Sequence, residues 1–87
     1  MASHEETLAQ LQQGAEFCNN LHGVIQNALS MNSELRGVLQ NALGNTGAYG
    51  EVAGYSEAVT GALEASAQAT EQTKVTIESL MARFQGG

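Results

Sequence analysis

Few residues of this chain have the type and spacing to do chemistry, and each set stops short of a site. Cys18 and His22 lie four apart, so one helix face would carry both, and a symmetric pair of chains would gather two thiols and two imidazoles, a donor set that suits zinc. The chain has no other Cys and no Asp, and Cys18 falls where a packing helix places small apolar residues. It reads as a buried structural thiol, and no metal is expected. His4 stands at the start of the first helix and reads as solvated or as part of a cap. Glu57, Glu64, Glu71 and Glu78 recur every seven residues, but acid–base work needs a convergent partner and no His, Asp or Arg provides one. They read as a solvated stripe, with Lys74 within reach of Glu71 and Glu78. The glycine-rich stretch from Gly44 to Gly50 lacks the Lys-Ser or Lys-Thr of a phosphate loop and follows no strand. No catalytic residue, no cofactor and no enzymatic activity are expected.

The composition narrows the remaining roles. With 87 residues the chain makes one domain at most, near the lower limit for a self-sufficient core, and a single Cys excludes internal disulfides. Nine acidic residues against three Lys plus Arg give a formal net charge of -6. Such a surface suits neither nucleic-acid phosphates nor anionic lipid headgroups. No apolar run approaches the length of a membrane span, and Met1 to Ser3 does not open a basic-then-apolar signal pattern, so neither stable membrane insertion nor an ordinary secretory signal is expected. Apolar residues are 43% of the chain and charged ones 14%, which favours a folded protein over a charge-driven disordered one.

The elements that would position these residues are long helices. Written in sevens, Leu11, Cys18, Ile25, Asn32 and Leu39 take position a, and Gly14, Leu21, Ala28, Leu35 and Ala42 take position d. Positions b and c hold only polar residues, among them Gln12, Asn19, Gln26, Ser33 and Gln40. That segregation marks an amphipathic helix. An echo supports it, since the run from Gly23 to Leu29 returns almost unchanged from Gly37 to Leu43, two heptads later. Ser3 followed by Glu6 is a capping box at its start, and Glu5 and Glu6 suit the positive end of its dipole. The expected layout is helix 1 over about 4–43, a turn over about 44–50 built on Gly44, Asn45, Gly47, Tyr49 and Gly50, and helix 2 over about 51–85. On helix 2 the expected packing face is Val52, Val59, Ser66, Thr73 and Leu80 with Tyr55, Ala62, Ala69 and Thr76, widened at its two ends by Leu63, Ile77 and Phe84. The whole of 1–87 is thus read as one all-α, antiparallel helix-turn-helix hairpin, with helices on the order of 55 Å long.

A lone hairpin cannot cover what helix 1 displays. Phe17, Val24, Met31 and Val38 flank the a/d seam on one side, and Leu8, Ala15, Leu29 and Leu43 flank it on the other. Each large side chain left wet forgoes roughly 1.5–3 kcal/mol. The surplus asks for another chain, in a four-helix bundle or a larger helical assembly. The expected interface is Phe17, Leu21, Val24, Ile25, Met31, Leu35, Val38 and Leu39. Asn32 is the polar exception at position a, where a buried amide can set register. Gly23, Gly37 and Gly44 on helix 1, with Ser30 between, and Gly47, Gly54 and Gly61 at the start of helix 2, form outer rows that either let a further subunit come close in a filament or reflect compositional tolerance in a helix stabilised elsewhere.

An acidic helical hairpin of under a hundred residues with an aromatic and glycines in its turn resembles the WXG100 (ESAT-6-like) family. The resemblance covers the layout from Glu5 to Phe84. Where that family has Trp-any-Gly, this chain has Thr46-Gly47-Ala48-Tyr49-Gly50, and no Tyr follows Tyr55 to begin the family's C-terminal Tyr-xxx-Asp/Glu signal. The resemblance implies a homo- or heterodimer with itself or a homologous hairpin, travelling through secretion machinery with a partner that carries the signal. It also implies secretion or surface display by a route independent of a signal peptide, with the cytoplasm as the other location. The chain is similar as well to the needle subunit of type III secretion, a hairpin ending in an apolar helix like that from Ile77 to Phe84, although this chain has no Pro for that family's turn. That resemblance implies the subunit of a helical filament.

Overall fold

Helix 1 begins where its cap chemistry begins. In the structure, a computed structural model that describes residues 3–86, Ser3 is extended and its hydroxyl accepts from the Glu6 amide at 3.1 Å, while the Thr7 hydroxyl donates to the Ser3 carbonyl at 3.0 Å. From this cap α1 runs His4–Leu43, uninterrupted over 40 residues. No Pro breaks it, and its polar and apolar residues keep to separate faces.

The reversal takes three residues, 44–46, rather than the seven expected. Gly44 donates back to the Gln40 carbonyl at 2.8 Å in right-handed helical geometry, and a Cβ built there would run into that same oxygen. Thr46 then turns the chain, its amide and hydroxyl reaching the Leu43 carbonyl at 2.9 and 2.8 Å. This takes up a helix-end carbonyl without a left-handed residue, and among the described residues no φ is positive. Gly47, Tyr49 and Gly50, expected in the turn, therefore lie in the first turn of α2, which runs Gly47–Gly86. Gly87 lies outside the described residues.

The two helices lie side by side as an antiparallel hairpin of 63 × 19 × 14 Å, with no strand among the described residues. The seam between them is rotated from the a/d expectation. On α1 it is formed by Leu11, Cys18, Ile25, Asn32 and Leu39 together with the residues four further on, Ala15, Leu29, Arg36 and Leu43. Leu21 and Leu35, expected within it, are exposed. On α2 the inward residues are Tyr49, Ser56, Leu63, Thr70 and Ile77 with Ala53, Thr60, Ala67, Lys74 and Met81. Of the face expected there, Leu63 and Ile77 turn inward and Val52 and Leu80 are half-buried, while Val59, Ala62, Ser66, Ala69, Thr73 and Thr76 are exposed, and Tyr55 is 79% exposed while Tyr49 is half-buried. The physical reason is the breadth of the apolar stripe, which occupies a, d, e and g on α1 while a single neighbour covers only one edge. The edge chosen is the one that gives Asn32 its hydrogen-bond partners on α2 and brings Arg36 to 3.4 Å from Glu57.

Candidate functional site

The seam itself is thin. Its buried apolar members are Ala15, Cys18 and Ile25, and no large side chain among the described residues is fully enclosed. In its middle sits a polar knot: the Asn32 amide nitrogen donates to the Ser56 carbonyl at 3.0 Å and to the Thr60 hydroxyl at 2.9 Å, and the Ser56 hydroxyl donates to the Asn32 carbonyl oxygen at 3.4 Å. Sliding one helix past the other would strand this buried amide. Asn32 is visible in the sequence as a polar residue in an apolar position. Its partners are missed there, although a Ser and a Thr four apart are the signal that could have found them.

The residues weighed for chemistry are dispersed. Cys18 is buried in the seam while His22, four residues on, faces solvent, and no three His, Cys or acidic residues among the described ones gather as a metal-binding group. Glu57, Glu64, Glu71 and Glu78 are exposed in a row. Lys74, read as their neighbour in solution, is half-buried toward the seam, and the ion pair within 4 Å among the described residues is Arg36 with Glu57. His4 meets the ring of Phe84 at 5.9 Å between centroids, closing the open end of the hairpin, a contact that the sequence reading did not anticipate.

What the fold does concentrate is apolar surface. Phe17, Leu21, Val24, Met31, Leu35 and Val38 are all half or more exposed, Phe17 at 67%. Their spacing of three and four places them in one line on α1, about 32 Å long at 1.5 Å per residue. Ile25 and Leu39, expected with them, instead face α2. In an antiparallel pair, corresponding flanks of the two helices lie on the same side. This is visible on the polar side, where Gln12, Glu16 and Asn19 of α1 and Glu78, Ala82 and Gln85 of α2 line one shallow groove. The opposite side therefore joins the apolar line of α1 to Val52, Tyr55, Val59, Ala62, Ser66, Ala69, Thr73 and Thr76 of α2. Together they form one face, bulky on α1 and mostly small on α2.

Two properties fit this face for burial. None of the nine Glu falls on it between Phe17 and Ala42 or between Val52 and Leu80. The hydroxyls of Ser66, Thr73 and Thr76 donate to the carbonyls of Ala62, Ala69 and Gln72 at 2.9, 2.8 and 2.8 Å, so they can leave water without losing their partners. The accessible surface points the same way. At 6176 Å² it exceeds the roughly 4,900 Å² expected of a compact monomer of 9.1 kDa. The excess is of the order that each partner buries in a stable complex, about 800 Å².

Comparison of the chain with protein families, with characterised proteins and with solved structures finds no match in any of the three.

Proposed function

We propose that this protein is a non-enzymatic interaction module that works by packing its apolar face against another helical hairpin, a second copy or a homologue, in a four-helix bundle. The observation that carries the reading is the continuous uncharged face from Phe17 to Val38, left open beside a seam too thin to account for it. The charged groups lie elsewhere, which keeps the outside of such a bundle acidic and soluble. The layout shared with the WXG100 family supports a secretion-linked setting, in which a paired hairpin is the form that travels. Among the described residues no helix is long and apolar enough to cross a membrane.

A second reading, the subunit of a helical filament, is favoured by the glycines. Gly23 and Gly37 on α1 and Gly47, Gly54 and Gly61 on α2 fall on the polar side, where an added Cβ would meet nothing within 4 Å. A filament needs two unlike faces, and these rows would provide the second.

Absolute mass by light scattering over a dilution series, with circular dichroism on the same fractions, tests both. Fixed mass above the monomer in a helical species supports the bundle, and mass that grows with concentration supports the filament. Leu21→Asp with Leu35→Asp should return either assembly to monomer, because two carboxylates would have to be buried unpaired. Unchanged mass in that variant places the contact elsewhere. A wild-type protein that stays a helical monomer and binds no apolar dye would overturn the packing role itself.

A further inference from the structure

The apolar face has a symmetry of its own. Along the row of α1 that borders the seam, where Gly14 lies against Ile77 and Ala28 is half-buried, Gly14, Leu21, Ala28, Leu35 and Ala42 alternate small and large, and the alternation is the same read in either direction from Ala28. Leu21 and Leu35, equidistant from that centre, are equally exposed at 51%. The adjacent row, Phe17, Val24, Met31 and Val38, is bulky throughout and centred within half a residue of the same point.

α2 carries the complementary pattern at the same height. Asn32 bonds to Ser56 and Thr60, and a Cβ on Gly14 would meet Ile77 at 3.3 Å, so the level of Ala28 falls at Ala62. About Ala62 the row is unequal in a useful way: Tyr55 on one side stands as far from it as Ala69 on the other, and Val59 nearly as far as Ser66. Reversing the helix on itself therefore sets each bulky residue over a small one.

We propose that the occupant of the face is a second copy of this chain, turned so that the two hairpins are antiparallel with their turns at opposite ends, and that the twofold axis crosses the face at Ala28 and Ala62. This rests on the packing role proposed above and names its partner and register. Leu21 then lies against Leu35 of the other copy in two equivalent places, Ala28 against Ala28, and Tyr55 over Ala69. With the turns at the same end, Met31, Leu35 and Val38 would instead stack on Val59, Tyr55 and Val52. Phe17, Leu21 and Val24 would then face only Thr73, Ala69 and Ser66. The helices could not hold one spacing of about 8–10 Å along such a wedge. A charge of -6 on each copy would oppose most self-pairings, but this face brings no carboxylate against another.

The experiment is site-directed cross-linking of the full chain, with Cys18→Ala as background so that no native thiol competes. Ala28→Cys should form a covalent dimer on treatment with diamide, which removes one hydrogen from each thiol as the disulfide forms. Leu21→Cys and Leu35→Cys should each fail alone and cross-link when mixed. Mass and helix content of each reduced variant are measured beside the parent, so that a folding failure is recognised and replaced by the matching pair Ala62→Cys, which should also self-link. A dimer in which Ala28→Cys links only to Ala62→Cys would overturn the antiparallel arrangement while leaving the packing role intact. A helical monomer that binds apolar dye at every concentration would overturn the second copy as occupant, again without touching the packing role.

Discussion

The hairpin has two long sides that differ in kind, and three consecutive residues of α1 sample the contrast. Val24 is 64% exposed on the apolar side, Ile25 is 8% exposed in the seam, and Gln26 faces solvent on the polar side. Val24 and Ile25 are chemically near neighbours, so composition does not separate their roles. Their angle on the helix does. The seam sets half-buried aliphatics such as Leu11, Leu29, Leu63 and Ile77 around one polar knot, whereas on the apolar side six large side chains from Phe17 to Val38 stay half or more exposed. The polar side carries the Glu row and the open glycines.

The largest effect should come from placing a carboxylate at each of these three positions. Ile25→Asp buries an unpaired charge between the helices and should remove helicity and assembly together. Val24→Asp should weaken association by at least about 3 kcal/mol, more than a hundredfold in dissociation constant, with helix content retained better than in Ile25→Asp. Gln26→Asp should change either quantity by no more than about 0.5 kcal/mol. Circular dichroism and light scattering on the three proteins read the series. Equal losses in Val24→Asp and Gln26→Asp would erase the distinction between the two sides.

How much of this the sequence discloses differs between elements. The limits of α1 are legible because Ser3 and Glu6 announce a cap and because positions b and c carry no apolar residue. The rotation of α1 is not legible, since a stripe spread over a, d, e and g points in no single direction until a neighbour selects an edge. α2 is harder still. Its inward and outward faces both mix Ala, Ser and Thr with isolated large residues, so Val59 and Tyr55 read as one seam with Leu63 and Ile77, of which only Leu63 and Ile77 turn inward. The turn reads long because Gly44, Gly47 and Gly50 suggest left-handed backbone, whereas Thr46 closes it locally on the Leu43 carbonyl. The apolar surplus is plain from the sequence, and its division between seam and open face follows from which edge of the stripe α2 covers.

A smaller effect sharpens the contrast from within the seam. Asn32→Ala removes the donor to the Ser56 carbonyl and the Thr60 hydroxyl and leaves the Ser56 hydroxyl without its acceptor. The cost to the hairpin should be about 1–3 kcal/mol, read as a lower urea midpoint. Because the knot lies off the apolar side, the mass of the assembly at concentrations well above its dissociation constant should stay as in the parent. A change of mass without a change of midpoint would move Asn32 from the seam to the interface between chains.

The smallest effect is the one that tells the two assemblies apart. Gly23→Ala and Gly37→Ala add a methyl on the polar side of α1 where nothing lies within 4 Å, so the fold has no steric reason to resist. Each should raise stability by about 0.5–1 kcal/mol, since glycine in a helix loses more backbone freedom on folding than alanine does. In a bundle closed through the apolar side these positions stay in water, and the double variant should keep the parent mass with a higher urea midpoint. In a filament the glycine rows are a contact, and two methyl groups in a close helix–helix approach should shorten or abolish the polymer while the hairpin itself becomes more stable. Stability and assembly moving in opposite directions would give the polar side a binding role. Stability rising alone would leave association to the apolar side.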